Sequence, residues 1–457
     1  MNELEIKEVV KNQRDYFFSG KTLLIKNRIN TLNKIKENLF IYQEEIKKAF
    51  LLDFNKCEFD VISTEFLSVI SEIDYMIKHL KKFSKPKKVR SNLVNIPSKG
   101  YICYEPYGVC LIMAPWNYPL QLALVPLVGA IATGNTVVLK PSNYSYNVSL
   151  VIDKIFSDFD DSLIKVVLGG RSENTALLDS RFDYIFFTGG DTVGRLVMEK
   201  ASKNLTPVSL ELGGKSPCIV TSSADINLAA KRITWGKYLN GGQTCVAPDY
   251  ILVDKRVHDE FIIKVKEWIN KFYYENSTLS KDFTYIINDK HVERLKGLID
   301  YKKVIFGGKI EGRLIEPTIM DNVNYNDLVM QEEIFGPIMP IITFDKLSDV
   351  VEDIKRKPHP LALYLFTKSK EDSNLVFQNI AFGGGCLNDC IMHLTNDKLP
   401  FGGVGRSGMG SYHGKKSFLT FSHEKSIFIK GRIELDVKYP PHTNKKMKFI
   451  KKFAKVK

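Results

Sequence analysis

The stretch Asn240-Gly241-Gly242-Gln243-Thr244-Cys245-Val246-Ala247-Pro248 sets one thiol behind two glycines and ahead of a proline. Glycines there let the chain turn sharply and let a ligand approach the backbone. A cysteine at such a turn becomes a nucleophile once ionised, because the thiolate and not the thiol attacks. A lone cysteine is equally well inert packing, and this stretch alone leaves both readings open. Two more residues have types suited to carbonyl chemistry. Glu211 closes the run Val208-Ser209-Leu210 and reads either as a general base or as a surface acid. Asn117, ahead of Tyr118-Pro119, reads either as an amide donor to an oxyanion or as a turn former.

Other chemistries are weaker. Cys386, Cys390 and His393 lie close together but lack a fourth ligand at zinc spacing, so no metal is expected. Gly403–Gly408, "GVGRSG", matches G-x-G-x-x-G literally, yet it leads into no strand–helix–strand unit and is rejected as a nucleotide loop. The 7 cysteines, odd in number and scattered, predict reduced thiols and a cytoplasmic setting.

The elements that must position these residues follow from periodicity. Ile25, Ile29, Leu32 and Leu39 recur at helical spacing, as do Ile62, Phe66, Val69, Ile73, Ile77 and Leu80, and Lys85-Pro86 ends that run. "NIPSKGYICYEPYGV" predicts two short strands. The apolar runs "GVCLIMAP", "TVVLKPS", "IKVVLGG", "YIFFTGG" and "VSLELGG" then alternate with helix-length segments. That order predicts an α/β fold with a parallel sheet covered on both faces, whose ligands bind at the carboxyl ends of the strands. Those ends carry Trp116-Asn117, Lys140, Gly189-Gly190 and Glu211. A second α/β unit runs to about Phe401, with Asp225 as the expected cap of its first helix.

The start, "MNELEIKEVVKNQRDYF", does not read as a signal peptide, and no uncharged run reaches the roughly 18 apolar residues of a membrane span. Much of the net charge of +13 lies in the terminal "NKKMKFIKKFAKVK", which has no acid. It is a solvated end, or an amphipathic helix that sets Met447, Phe449, Ile450, Phe453 and Val456 against anionic lipid. Basic charge confined to one end, with no recognisable binding module, argues against nucleic acid.

"PWNYP", "KPS", "FFTGG", "LELGGKSP", "GQTCVAPDY", "MQEEIFGP" and "LPFGGVGRSG" occur in one order over nearly the whole chain. In that order they resemble the aldehyde dehydrogenase superfamily. "TPVSLELGGKSPC" and "GGVGRSGMGSYHGKKSFLTFSH" look most like its class 3, fatty-aldehyde branch. The resemblance implies two doubly wound parallel-sheet domains plus a small β oligomerisation element. Residues 1–91 and 104–210 would bind the dinucleotide, 211–401 would form the catalytic domain, 92–103 and 418–429 the oligomerisation element of a homodimer, and 436–457 a basic tail.

It also implies NAD(P)-dependent oxidation of a medium- or long-chain aliphatic, or an aromatic, aldehyde. Cys245 would be the nucleophile, Glu211 the base for thioester hydrolysis, and Asn117 with the Cys245 N–H the oxyanion donors. Trp116, Lys140, Gly189, Gly190, Gly194, Glu333 and Phe335 would contact NAD or NADP. Tyr118 and Phe401 would line the aldehyde site. A coenzyme A-acylating enzyme is disfavoured by Glu211, a non-catalytic scaffold by the joint presence of Cys245, Glu211 and Asn117, and a cysteine hydrolase by the absence of a motif histidine.

The chain departs from the family pattern twice. Gly190-Asp191 replaces a usual Ser-Thr pair, removing a hydroxyl and setting an acid where a helix start meets phosphates; such an acid is expected to cap the helix and point away. Asn143 stands where the family usually has the glutamate of "KPSE". A carboxylate there grips the ribose hydroxyls and repels a 2′-phosphate, whereas an amide does neither. Steady-state comparison of the coenzymes should therefore show NADP used at least comparably to NAD; a preference for NAD of about a hundredfold would remove this reading.

Overall fold

The computed structural model describes residues 1–92, 95–433 and 436–455. Leu93 and Val94 of the expected oligomerisation element, and Val456 of the tail's apolar set, lie outside the described residues. The N-terminal part forms α1 (Glu3–Phe18), α2 (Ile25–Ile41), α3 (Gln43–Phe54) and α4 (Leu67–Phe83), the last entered through a π-helical turn at Val61–Phe66. Asn2 and Glu5 form a capping box at α1, the Glu5 N–H donating to Asn2 Oδ1 at 3.0 Å and the Asn2 N–H to Glu5 Oε2 at 2.8 Å. After α4 come β1 (Lys87–Val89) and β2 (Ser98–Pro106).

The first large sheet consists of β3 (Val109–Met113), β4 (Thr136–Lys140), β5 (Ile164–Val166), β6 (Tyr184–Thr188) and β7 (Val208–Glu211). These strands are parallel, in the order β5-β4-β3-β6-β7. Helices α5 (Gln121–Thr133), α6 (Tyr146–Phe156), α7 (Arg171–Leu178) and α8 (Asp191–Ser202) connect them. Side chains alternate across the sheet as strand geometry requires. Val109, Leu111 and Met113 pack with Ile6 and Val10 of α1, while Cys110 and Ile112 pack in the core shared by α2 and α4. The order reverses between β3 and β6, which opens a crevice at their carboxyl ends. Trp116-Asn117 and Gly189-Gly190 follow directly from those two ends.

The second sheet contains β8 (Pro217–Val220), β9 (Tyr250–Asp254), β10 (Val304–Phe306), β11 (Thr318–Met320), β12 (Ile338–Phe344), β13 (Ala362–Phe366) and β14 (Gly384–Leu387). Its order is β10-β11-β12-β9-β8-β13-β14, and only β10 runs antiparallel to its neighbour. Helices α9 (Ile226–Tyr238), α10 (His258–Tyr273), α11 (Asp289–Leu298), α12 (Leu347–Lys355) and α13 (Lys370–Asn379) cover it. Asp225 caps α9 as expected, accepting the Leu228 N–H at 3.0 Å.

The chain then returns to the first sheet. β15 (Gly408–Met409) pairs antiparallel with β7 and sets Gly408 opposite Glu211. After α14 (Lys415–Thr420), β16 (Ser422–Lys430) completes an antiparallel sheet in the order β1-β2-β16. Here the structure differs from the strand boundaries expected from sequence. β2 is one continuous strand paired along its whole length, from Ser98 opposite Lys430 to Pro106 opposite Ser422. Proline is admitted because β1 pairs only with residues 100–102, so β2 is an edge at Pro106. The partner strand begins at Ser422 rather than Phe418 because residues 415–420 are helical. The last element is α15 (Asn444–Ala454), which has no buried residue.

One buried ion pair braces the region ahead of the crevice. Lys56 Nζ meets Glu65 Oε1 at 3.0 Å, both side chains fully buried. The other Glu65 oxygen accepts the Gln121 N–H at the start of α5, 3.0 Å away, and the Lys56 ammonium lies 4.4 Å from the Tyr118 ring centroid. Removing one partner of such a pair typically costs about 3–5 kcal/mol, because the remaining charge is stranded.

Candidate active site

Cys245 sits just beyond α9, after a tight turn in which Asn240, Gly241 and Gly242 all have positive φ (56°, 61° and 73°). A Cβ at Gly242 would overlap the Gly336 carbonyl, and one at Gly241 would approach the Thr284 carbonyl to 2.9 Å. The two glycines are thus required by both conformation and contact. Gln243, fully buried, locks the turn. Its Nε2 donates to the Asn240 and Tyr285 carbonyls, each at 3.0 Å, and its Oε1 accepts the Ile287 N–H at 3.0 Å. Asn117 Nδ2 donates to the Gln243 carbonyl at 3.1 Å, while Asn240 Nδ2 donates to the Asn117 carbonyl at 2.9 Å. The loop after β3 and the thiol loop are therefore stitched together in both directions. Tyr118 adds a hydroxyl contact to Thr244 Oγ1 at 2.7 Å, and Tyr364 donates to the Val246 carbonyl at 2.6 Å.

Cys245 is half-buried, and its sulfur meets the backbone N–H groups of Cys245 and Val246. Burial, followed by the nearby carboxyls of Glu333 and Glu211, pushes the thiol up to about 12. Glu211 ends β7, is 2% exposed, and has no hydrogen-bond partner on either carboxyl oxygen. Burial raises it well above the usual carboxylate range. Tyr412, which sequence reasoning did not single out, has its phenol raised by burial and then by Glu211 and Cys245. Phe401 pairs with it through backbone bonds of 3.0 and 2.8 Å.

A cleft of about 510 Å³ lies between the sheets, lined by Gly190, Asp191, Gly213, Gly214, Glu333 and Arg406 among others. Burial, then Asp249, push Glu333 up to about 8, and its carboxylate accepts the Gly214 N–H. A Cβ at Gly213 would collide with the Glu333 carboxylate, so the main chain here is bare by necessity. Phe335, at a φ of 50°, lies edge-on to Trp116 at 5.3 Å between centroids, and His291 of α11 packs against Trp116 at 5.0 Å. Lys140 is buried, its ammonium donating to the Pro141 and Gly169 carbonyls at 2.7 and 2.8 Å, and burial brings it down to about 8. Gly194 lets α8 approach Leu212 closely, and Gly190 is the residue before α8. The bare backbone, the helix start and the flanking aromatics fit a dinucleotide.

Asp191 does not cap α8, because Gly190 occupies the cap position. The acid lies in the first turn, 3.2 Å from Arg195 and 3.3 Å from Arg406, since two guanidinium groups within reach outcompete the backbone N–H groups. "GVGRSG" forms a short turn leading into β15. Cys386 Sγ lies 3.5 Å from His393 Nδ1. Gln243, Tyr412 and Tyr364 went unassigned in the sequence. Gln243 stands two residues before the thiol within a motif already noted, whereas the tyrosines carry no local signal.

A half-buried thiol and an unpartnered carboxyl, within electrostatic reach of one another and of the Glu333 that lines a cleft beside two α/β sheets, suit a cysteine-dependent oxidoreductase. Residues 1–427 match the model of the aldehyde dehydrogenase family. A 4,4'-diaponeurosporen-aldehyde dehydrogenase of Staphylococcus aureus is 44% identical over 456 residues, covering 98% of this chain and 99% of that one. A dimeric NADP-preferring aldehyde dehydrogenase of Canis lupus familiaris is 42% identical, covering 96% and 98%. A solved structure described as the substrate-bound state of Staphylococcus aureus AldH superposes with a TM-score of 0.96 at 44% identity, covering 99% of this chain and all of that one. The chain belongs to the aldehyde dehydrogenase family. It is an NAD(P)-dependent enzyme that oxidises aldehydes.

With the thiol raised to about 12, the coenzyme-free protein holds Cys245 protonated at neutral pH. Its inactivation by iodoacetamide should accelerate about tenfold per pH unit between about pH 7 and 9, following the thiolate fraction. A plateau near pH 7 would instead reveal a preformed thiolate.

Proposed function

We propose that Cys245 attacks the aldehyde carbonyl, that Asn117 Nδ2 and the Cys245 N–H hold the oxyanion, and that Glu211 activates the water that releases the acid. Glu211 carries this reading: a buried carboxyl with two unpartnered oxygens suits a group that works on a transient water and not one that braces the fold. In the first step the thiol gives its proton to solvent water and sulfur bonds to the carbonyl carbon as the C=O π bond opens, leaving charge on oxygen. One donor at such an oxyanion is worth about 3–4 kcal/mol. A bound NAD or NADP, held by the residues named below, would supply the hydride acceptor for that carbon. The resulting thioester is attacked by water as Glu211 takes a proton, and sulfur departs from the carboxylic acid. Burial raises Glu211, which strengthens it as a base.

The coenzyme pyrophosphate would lie at Gly189, Gly190 and Gly194, beside the start of α8. Lys140 would reach the adenosine ribose with its remaining proton and Glu333 the nicotinamide ribose, with Trp116 and Phe335 flanking the ring. Tyr118 and Phe401 would line the aldehyde. Residues 1–91 and 104–210 act as the dinucleotide-binding domain and 211–401 as the catalytic domain. Two copies would pair through the β1-β2-β16 sheet, where Ile427, Phe428 and Ile429 are exposed; the canine relative is named dimeric. The substrate we assign is a medium- or long-chain aliphatic, or an aromatic, aldehyde.

We further assign a cytoplasmic enzyme with peripheral membrane contact through α15. No described helix is long and apolar enough to cross a membrane. Met447, Phe449, Ile450 and Phe453 are exposed on this lysine-rich helix, a pattern that suits anionic lipid.

Two experiments test these assignments. Glu211→Gln should keep a rapid burst of reduced coenzyme while steady turnover falls about a hundredfold or more, and Cys245→Ser should abolish both; a steady rate unaffected by Glu211→Gln would exclude it as the base. Full-length protein should float with anionic liposomes and protein cut before Asn444 should not; equal flotation would remove the membrane role of α15.

A further inference from the structure

The short helical turn Gly405–Ser407 carries Arg406 to the cleft, and its backbone is fixed on several sides. The Ser407 hydroxyl donates to the Val404 carbonyl at 3.0 Å and accepts the Val404 N–H at 2.9 Å. The Ser407 carbonyl accepts the N–H of Leu212, the residue after Glu211, at 3.1 Å. A Cβ at Gly408 would collide with the Leu210 carbonyl. The base of the Arg406 side chain is therefore anchored at the carboxyl end of β7. Its guanidinium reaches the first turn of α8, where Nη2 meets Asp191 Oδ2 at 3.3 Å. Since α8 follows β6 and β6 pairs with β7, this arm runs from one strand end to the next.

Lys215, Lys357 and Arg406 all bring a cation to the walls of the 510 Å³ cleft. The two lysines are committed. Lys215 donates to Asp249 and to the Val329 and Glu332 carbonyls, which uses all three ammonium protons. Lys357 donates to Asp353 at 2.7 Å and lies 3.1 Å from the Tyr325 ring centroid. Arg406 is different. A guanidinium carries five N–H donors, and among the described residues its one polar partner is Asp191. The same Asp191 oxygen also meets Arg195 Nε at 3.2 Å. Two guanidinium groups thus share one carboxylate, leaving a positive charge in excess beside Gly190. The space over Gly190 is open, with no atom within 4 Å of where a Cβ would stand.

A surplus cation with unused donors, on a fixed arm above bare backbone, suits a bound polyanion. The Gly190-Asp191 pair offers no hydroxyl to a phosphate, and the planar fork of an arginine can supply donors in its place. We propose that Arg406 pairs with the pyrophosphate of bound NAD or NADP, and that Asp191 holds the guanidinium in place until the coenzyme arrives. The assignment rests on the reading that the pyrophosphate lies at Gly189, Gly190 and Gly194, and it adds a residue that approaches from the far end of the chain.

Binding of ADP-ribose and of adenosine, measured by titration calorimetry on the whole protein, separates this contact from turnover, because only ADP-ribose carries the pyrophosphate. Arg406→Gln should weaken ADP-ribose about tenfold and leave adenosine unchanged. The loss should shrink as salt is added, since the guanidinium is exposed. Arg406→Lys, which keeps the charge, should recover part of it. Asp191→Asn should act in the opposite direction and tighten ADP-ribose, because both guanidinium groups are then free for the phosphates. A clasp that served only the fold would be broken alike by either substitution. Equal losses in Arg406→Gln and Asp191→Asn, or an affinity unmoved by Arg406→Gln, overturn the role of Arg406 and leave the pyrophosphate site standing. Wild-type protein that binds ADP-ribose no more tightly than adenosine would defeat the placement of the pyrophosphate itself, and the role of Arg406 with it.

Discussion

The turn at Asn240-Gly241-Gly242 is the constraint on which the reactive centre depends. Three successive left-handed residues bring the chain back on itself within a few ångströms of the Gly336 carbonyl, where no side chain fits. That contact ties the thiol loop to the loop carrying Glu333 and Phe335. The carbonyl released by the turn, that of Gln243, is taken up by Asn117 from the other sheet. One backbone conformation thus sets the relative positions of Cys245, Asn117 and the loop bearing Glu333. Such preorganisation matters because catalytic hydrogen bonds are worth most when nothing must rearrange to form them.

Electrostatics around this turn follow from the exclusion of water. Cys245, Glu211 and Glu333 crowd one region with no cation bonded to Glu211, and burial resolves the conflict by favouring the uncharged forms of all three. The same exclusion of water strengthens the Glu211 carboxylate as a base. Lys56 and Glu65 show the opposite solution a short distance away, where two buried groups of opposite sign neutralise each other and hold Tyr118 from beneath.

Much of this was legible in the sequence because the reactive residues lie at strand ends, where glycine, proline and polar residues interrupt apolar runs. The alternation of strands and helices, the crevice residues and the cap at Asp225 all follow from local pattern. What escaped depends on partners distant in the chain. Gln243 reads as one more polar residue until its bonds to Tyr285 and Ile287 are seen, and Glu72 reads as part of an ordinary amphipathic helix although it bonds Gly414. The cap expected of Asp191 failed because Arg406, more than two hundred residues onward, competes for it. The extent of β2 was missed because its length is set by β16 and not by its own composition.

The return of the chain to β7 has a structural cost and a benefit. Since β15 supplies an edge strand to the first sheet after the second is complete, the two α/β units are interlaced and not strung in series. Neither half of the polypeptide contains a finished domain, so an emerging chain must wait for residues near Met409 before the first sheet gains its last strand. The same stitch places Glu211 between a parallel and an antiparallel neighbour, which makes the strand bearing it an interior one, sheltered from fraying at the edge of the sheet.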